Sequence, residues 1–177
     1  IVFSKNSLYY ALKKMGIEAY SVRFGFNAIW NTFQLFLPLK WLVYNSFFNR
    51  IALRFLRNKI DISSISLIVS NSSIINLGLY IHRKTQIPHV CFLREYGDDL
   101  VPLVKNVGKK INEDSNVCVA VSQAVAQCWI NKGINGSKIK VVYDGVCIPP
   151  NSEKKERTNS SIRICICGRI SKFKGQI

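Results

Sequence analysis

Four short apolar runs constrain this chain more than anything else in it: residues 66–70, 87–93, 116–121 and 138–143. Each is rich in β-branched residues, bounded by polar ones, and too short for a helix. Such a run reads as a strand buried on both faces, the habit of parallel sheets. The stretches between them are patterned as helices. Residues 74–84 are apolar nearly all round, so a helix there is buried on both sides, with Asn71, Ser72 and Ser73 placed to cap it. Asp99 is positioned to cap a second helix with Leu100, Val104, Val107 and Ile111 on its core face and Pro102 in its first turn. Ser122 opens a third over residues 123–131, closed by Gly133. Strand, turn, helix and strand again is the βαβ unit, which predicts an α/β, Rossmann-like parallel sheet with helices on both faces. Ligands of such sheets gather outside the carboxyl ends of the strands.

Upstream, Leu8, Ala11, Leu12 and Met15 recur at helical spacing and Gly16 follows, predicting an amphipathic helix over residues 5–15 and then a strand over 17–22. Residues 28–58 carry helical periodicity that Pro38 should kink or end near Leu37. The apolar run 33–48 contains Gln34, Pro38, Lys40 and Asn45, and is too short and too polar to cross a bilayer.

Charge narrows the partners. The formal net charge is +15, from 25 Lys and Arg against 10 acids, which favours polyanions. Residues 19–60 contain no acid and six cations, and are the most aromatic part of the chain. Arg50, Arg54 and Arg57 share one helix face while Phe48, Ile51 and Phe55 share another. That layout fits either a helix lying on anionic lipid, with membrane contact through residues 23–59, or a core-packed helix with a solvated basic face. No nucleic-acid-binding motif accompanies the charge, so nucleic acid is not the expected partner.

The six cysteines, at 91, 118, 128, 147, 165 and 167, include no CxxC pair, and four fall in apolar strand-like runs. Buried free thiols in a reducing, cytoplasmic compartment are expected, without a metal or other cofactor. No cleavable signal is visible. His89 reads as a core histidine and His82 as helix-end chemistry.

Residues 149–161 hold no large apolar side chain and read as a linker, with a domain boundary near 150. Beyond it Ile162, Ile164 and Ile166 alternate with Arg163, Cys165 and Cys167, a strand running into a loop that carries Gly168, Arg169, Lys174 and Gly175. Glycines let backbone approach a ligand closely, and fixed cations at a strand end suit a diphosphate.

Four ordered segments share a resemblance: residues 66–73, 87–99, 117–125, and Tyr143 with the terminal loop. Gly168-Arg169 with Lys174, Gly175 and Gln176 resembles the "GR-x-x-x-x-KG-Q" opening of the second domain in the group 1, family 4-like nucleotide-sugar glycosyltransferases, which pair two Rossmann-like domains in the GT-B fold. Residues 87–99, reading "IPHV-x-x-LRE-x-G-x-D", resemble a strand and loop of the bacterial polysaccharide-building members. Residues 117–125, "VCVAVSQAV", and 142–146, "VYDGV", resemble two further turns, with Asp144 where relatives carry Asn. Cys91 and Phe92 stand where relatives often carry Trp and His.

The resemblance implies residues 1–150 as an acceptor-binding domain lacking its first strand, 151–161 as linker, and 162–177 as the start of a nucleotide-sugar-binding domain. It gives the donor diphosphate to Gly168, Arg169 and Lys174, and the acceptor side of the cleft to Asn71, Arg94, Glu95, Ser122 and Gly145. Arg94 either holds an acceptor phosphate or pairs with Glu95 or Asp98. The implied reaction is sugar transfer, with retention of configuration and without metal, from a nucleotide-sugar to a lipid-linked or saccharide acceptor in cell-surface polysaccharide synthesis, at the cytoplasmic face of the membrane. The paired glutamates of the second domain fall beyond this stretch, so no catalytic residue is assigned and the stretch is expected to be inactive alone. A sugar-nucleotide epimerase of the same architecture and a non-enzymatic basic module for membrane or polyanion are the alternatives.

Overall fold

The computed structural model describes residues 1–2, 4–26, 28–30, 38–102 and 106–147. The expected linker at 151–161 and the second-domain opening with Gly168, Arg169 and Lys174 lie outside the described residues. Contacts divide the chain into Ile1–Asp144 and Gly145–Ile177, and the helices and strands named here belong to the first unit.

Its elements run α1 (Ser7–Lys14), β1 (Ala28–Trp30), α2 (Pro38–Arg57), β2 (Ile68–Ser70), α3 (Leu77–Thr85), β3 (His89–Leu93), β4 (Leu100–Pro102), α4 (Val107–Glu113), β5 (Val117–Ala120), α5 (Gln123–Asn131) and β6 (Ile139–Val141). The four apolar runs form one sheet in the order β2-β3-β5-β6, every pair parallel. This is the α/β class expected. Register places Cys91 opposite Cys118 and Leu93 opposite Ala120, and all four are fully buried. Leu79 of α3, Ile111 of α4 and Trp129 of α5 pack against them in one cluster, so these three helices share that face. A second cluster joins Ala52, Leu53 and Leu56 of α2 to Leu77 and Ile81 of α3.

His89 opens β3 with its ring fully buried. Its Nδ1 lies 3.0 Å from the Asp114 carbonyl oxygen and its Nε2 2.9 Å from Ser70 Oγ. A carbonyl only accepts, so Nδ1 carries the proton and Nε2 accepts from the Ser70 hydroxyl. Burial pushes its pKa below the usual value, and the ring is a satisfied neutral core group, as expected. Of the thiols, Cys91, Cys118 and Cys128 are buried and unpaired as expected, with burial raising the Cys118 pKa to about 11, whereas Cys147 is exposed and Cys165 and Cys167 lie outside the described residues.

Several elements differ from the sequence reading. Residues 17–22 form no named strand; Val2 and Ser21 make an isolated parallel bridge, held by bonds from Val2 N to Tyr20 O at 2.9 Å and from Val22 N to Val2 O at 3.1 Å. Residues 28–30 are strand, not helix, and Pro38 begins α2 rather than ending a helix. At a first helical position its missing N–H costs nothing. The helix expected from Asp99 starts only at Val107, after Asn106 in the left-handed region at φ 54°. Residues 97–99 make a 3-10 turn instead, and Leu100–Pro102 pairs antiparallel with β1. In so short a two-stranded pair Pro102 is tolerated.

α3 likewise begins at Leu77, because the serines meant to cap it are engaged elsewhere and Ile75 bridges Phe26. Over residues 45–57 of α2 the buried positions are Asn45, Asn49, Ala52, Leu53 and Leu56, while Phe48 and Phe55 are half-buried and Ile51 is exposed. Two of these buried positions are amides. Asn49 Oδ1 accepts from Gly25 N at 2.8 Å, and Asn45 accepts from Phe26 N at 3.1 Å while donating to Phe26 O at 2.7 Å. Asn49 Nδ2 then donates to Asn76 Oδ1 at 3.2 Å. These polar side chains pair the Gly25 N–H and both backbone groups of Phe26, which the bridge to Ile75 leaves open. No described helix is long and apolar enough to cross a membrane.

Gly78 lets α3 approach the sheet over the Ser70–His89 pair: a Cβ there would overlap Ser70 Oγ and lie 2.8 Å from His89 Nε2. Gly78→Ala is expected to lower stability by about 1–3 kcal/mol through overpacking, read as a lower urea midpoint; an unchanged midpoint would show that α3 can shift freely.

Candidate functional site at the carboxyl ends of the strands

Parallel pairing brings four loops to one rim: Asn71 after β2, Arg94 and Glu95 after β3, Val121 and Ser122 after β5, and the residues after β6 as far as Asp144. The separations in sequence are large, so the rim exists only once the sheet has formed.

Glu95 is bound by three hydrogen bonds. Its carboxylate accepts from Ser72 Oγ at 2.5 Å, from Ser73 Oγ at 2.6 Å and from Ser73 N at 3.0 Å. Its carbonyl oxygen accepts from Trp129 Nε1 at 3.0 Å, which ties the same loop to α5. Ser72 Oγ in turn accepts from Ile74 N at 3.1 Å. A charged acceptor with three donors is a strong fastening, and it locks the β2–α3 loop to the β3 loop. Glu95 therefore shapes the rim, its carboxylate turned to the serines.

Arg94 points the other way in chemical terms. Its guanidinium donates to Asp144 Oδ2 at 2.7 Å, and the two side chains are 39% and 64% exposed. The partner is neither Glu95 nor Asp98. Asp98 instead takes Lys132, just past the end of α5, at 2.8 Å, and the hydrogen bond from that ammonium holds its carboxyl below the usual range. An exposed ion pair of this kind is weak and salt-sensitive, so a phosphate can take the guanidinium from Asp144 at little cost.

The other expected rim residues are less committed. Asn71 is exposed and lines a 180 Å³ hollow with Ser70 and Gly78. Ser122 acts as a helix cap, its hydroxyl accepting from Val125 N at 3.2 Å. Gly145 is exposed, and a Cβ there would meet nothing within 4 Å. Sequence reading missed Ser72 and Ser73 as partners of Glu95 and Asp144 as the partner of Arg94, since no local pattern marks contacts made across two strands.

The fold is a Rossmann-like α/β domain with its strand-end loops gathered at one rim. No protein-family model matches the chain. It is similar to the uncharacterized glycosyltransferase MJ1069 of Methanocaldococcus jannaschii, at 30% identity over 77 residues, or 40% of this chain and 20% of that protein. Its fold is shared with solved structures of Anabaena Alr3699/HepE: in complex with UDP and glucose, TM-score 0.55 at 16% identity, and with UDP-glucose, TM-score 0.54 at 14%. Each match covers 81% of this chain and 35% of the other, so the chain spans about a third of those structures and a fifth of MJ1069.

The clamp and the ion pair should separate on mutation. Glu95→Ala is expected to cost about 2–3 kcal/mol of stability, because it strands the buried Ser73 donors, whereas Arg94→Ala should change stability by less than about 0.5 kcal/mol. Urea denaturation of both variants checks this; equal effects would contradict the division of roles.

Proposed function

We propose that the chain is the acceptor half, with the entry to the donor half, of a GT-B glycosyltransferase that moves a sugar from a nucleotide-sugar to a lipid-linked or saccharide acceptor in cell-surface polysaccharide synthesis. The observation that carries the proposal is the fold shared with structures that hold UDP and UDP-glucose, supported by the similarity to MJ1069. In this reading Arg94 releases Asp144 to meet an acceptor phosphate, and Glu95 keeps the two rim loops in place. Gly168, Arg169 and Lys174 take the donor's diphosphate, stabilising the charge that develops as the sugar leaves, with retention of configuration and without metal.

A membrane role is supported by α2, where Phe47 and Ile51 are 57% and 42% exposed beside Arg50 and Arg54. Apolar side chains next to cations on one exposed helix face suit an anionic lipid surface, in keeping with an enzyme held peripherally on the cytoplasmic side of the membrane.

Two measurements test this. Replacing Arg169 and Lys174 together by Ala in the complete polypeptide is expected to weaken UDP binding by calorimetry at least about tenfold, the loss of one charge-assisted bond; unchanged affinity overturns the donor assignment. Phe47→Ser/Ile51→Ser should abolish flotation of the chain with vesicles rich in anionic lipid, and flotation equal to that of the parent removes the membrane role.

A further inference from the structure

Away from the rim, a hollow between α2, α3 and α4 concentrates positive charge. One part, 260 Å³, is lined by Arg50 of α2, Arg83 and Lys84 of α3 and Lys110 of α4, with Tyr80 and the buried Asn49. An adjoining part, 350 Å³, shares Arg50, Tyr80 and Lys84 and adds Arg54 and Arg57. Among the described residues, six cations thus line the two parts and no acid does. The last turn of α3 leads into the start of β3, so the Arg83–Lys84 end of this hollow lies towards the amino-terminal edge of the sheet.

Its charge is not neutralised from within. Arg83 is engaged by Asp114, through Arg83 Nε to Asp114 Oδ1 at 3.0 Å and a second bond to Oδ2. Among the described residues, Arg50, Arg54, Arg57, Lys84 and Lys110 form no ion pair. Cations on one helix face are ordinarily splayed into solvent. Here they arrive from three helices onto concave walls, where mutual repulsion is less screened and an anion gains from several of them at once. Lys110 registers that field: burial first, and then the nearby Arg83, lower its pKa, with Asp114 and Glu113 opposing. Guanidinium forks and ammonium groups around a roomy polar hollow match the several oxygens of a phosphorylated group better than a single carboxylate.

We infer that the α2–α3–α4 hollow is a second anion site, which takes a diphosphate or similarly phosphorylated group from a lipid head group or from solution. It does not depend on the reading of the rim.

The test uses the 177-residue chain with Arg169→Ala/Lys174→Ala as background, so that the donor loop cannot contribute, and inorganic pyrophosphate as the probe in calorimetry. Arg50→Gln/Lys84→Gln is expected to weaken pyrophosphate binding at least about tenfold, the loss of one charge-assisted bond, and Lys84→Gln alone to weaken it partly. Lys13→Gln/Lys14→Gln on the exposed end of α1 removes the same formal charge and should leave binding unchanged. Circular dichroism and thermal midpoints confirm that each variant is folded. In a second arm, vesicles of phosphatidylcholine with phosphatidic acid are compared with phosphatidylcholine alone. Preference for phosphatidic acid that pyrophosphate competes away assigns the site to a lipid head group. Pyrophosphate binding without such preference assigns it to a soluble anion. Absence of pyrophosphate binding in the background chain, or equal weakening by the α1 control, overturns the inference.

Discussion

The fold depends on β3. Its backbone bonds β2 along one edge and β5 along the other, and its three inward side chains, His89, Cys91 and Leu93, are fully buried. Burying those side chains removes apolar surface from water, but it also obliges every polar group on the strand to find a partner. The ladders supply the backbone partners, and Ser70 and Asp114 supply those of His89. Helix α3 can then close over the pair only because Gly78 has no side chain. A strand held on all sides in this way delivers the two residues after it, Arg94 and Glu95, to a fixed place.

Those two neighbours divide the work at the rim. Glu95 is satisfied by both serines of the β2–α3 loop, which removes a carboxylate from the ligand edge and stiffens two connections at once. Arg94 is left with a solvated carboxylate partner fifty positions away in sequence. One acid is thus consumed in shaping the edge, and one cation stays exchangeable. A guanidinium locked in a buried pair would be costly to release, whereas this exposed one is not.

The strong positive balance is also unevenly distributed. Part of it offsets acids locally, as in Arg83 with Asp114 and Lys132 with Asp98. A second group, Arg50, Arg54 and Arg57 of α2, Lys84 of α3 and Lys110 of α4, gathers around one hollow. Charge that served solubility alone would be expected to spread out, since dispersal lowers self-repulsion.

Much of this was written locally in the chain. Alternation of buried strand runs with helical stretches depends on side-chain hydrophobicity at short range, so the parallel α/β class, α1 with its stop at Gly16, and α5 with Ser122 as cap and Gly133 beyond were legible. His89 was legible as a core group for the same reason. The misread segments are those where a distant partner outbids local preference: β4 is extended because β1 pairs with it, and α3 starts late because Glu95 claims Ser72 and Ser73. The partners of Arg94 and the convergence of cations from three helices were likewise settled only by tertiary structure. Short-range pattern dictates which stretches become strand or helix, whereas hydrogen bonds and charges pair by distance in space, and that distance is set by the packing of the sheet.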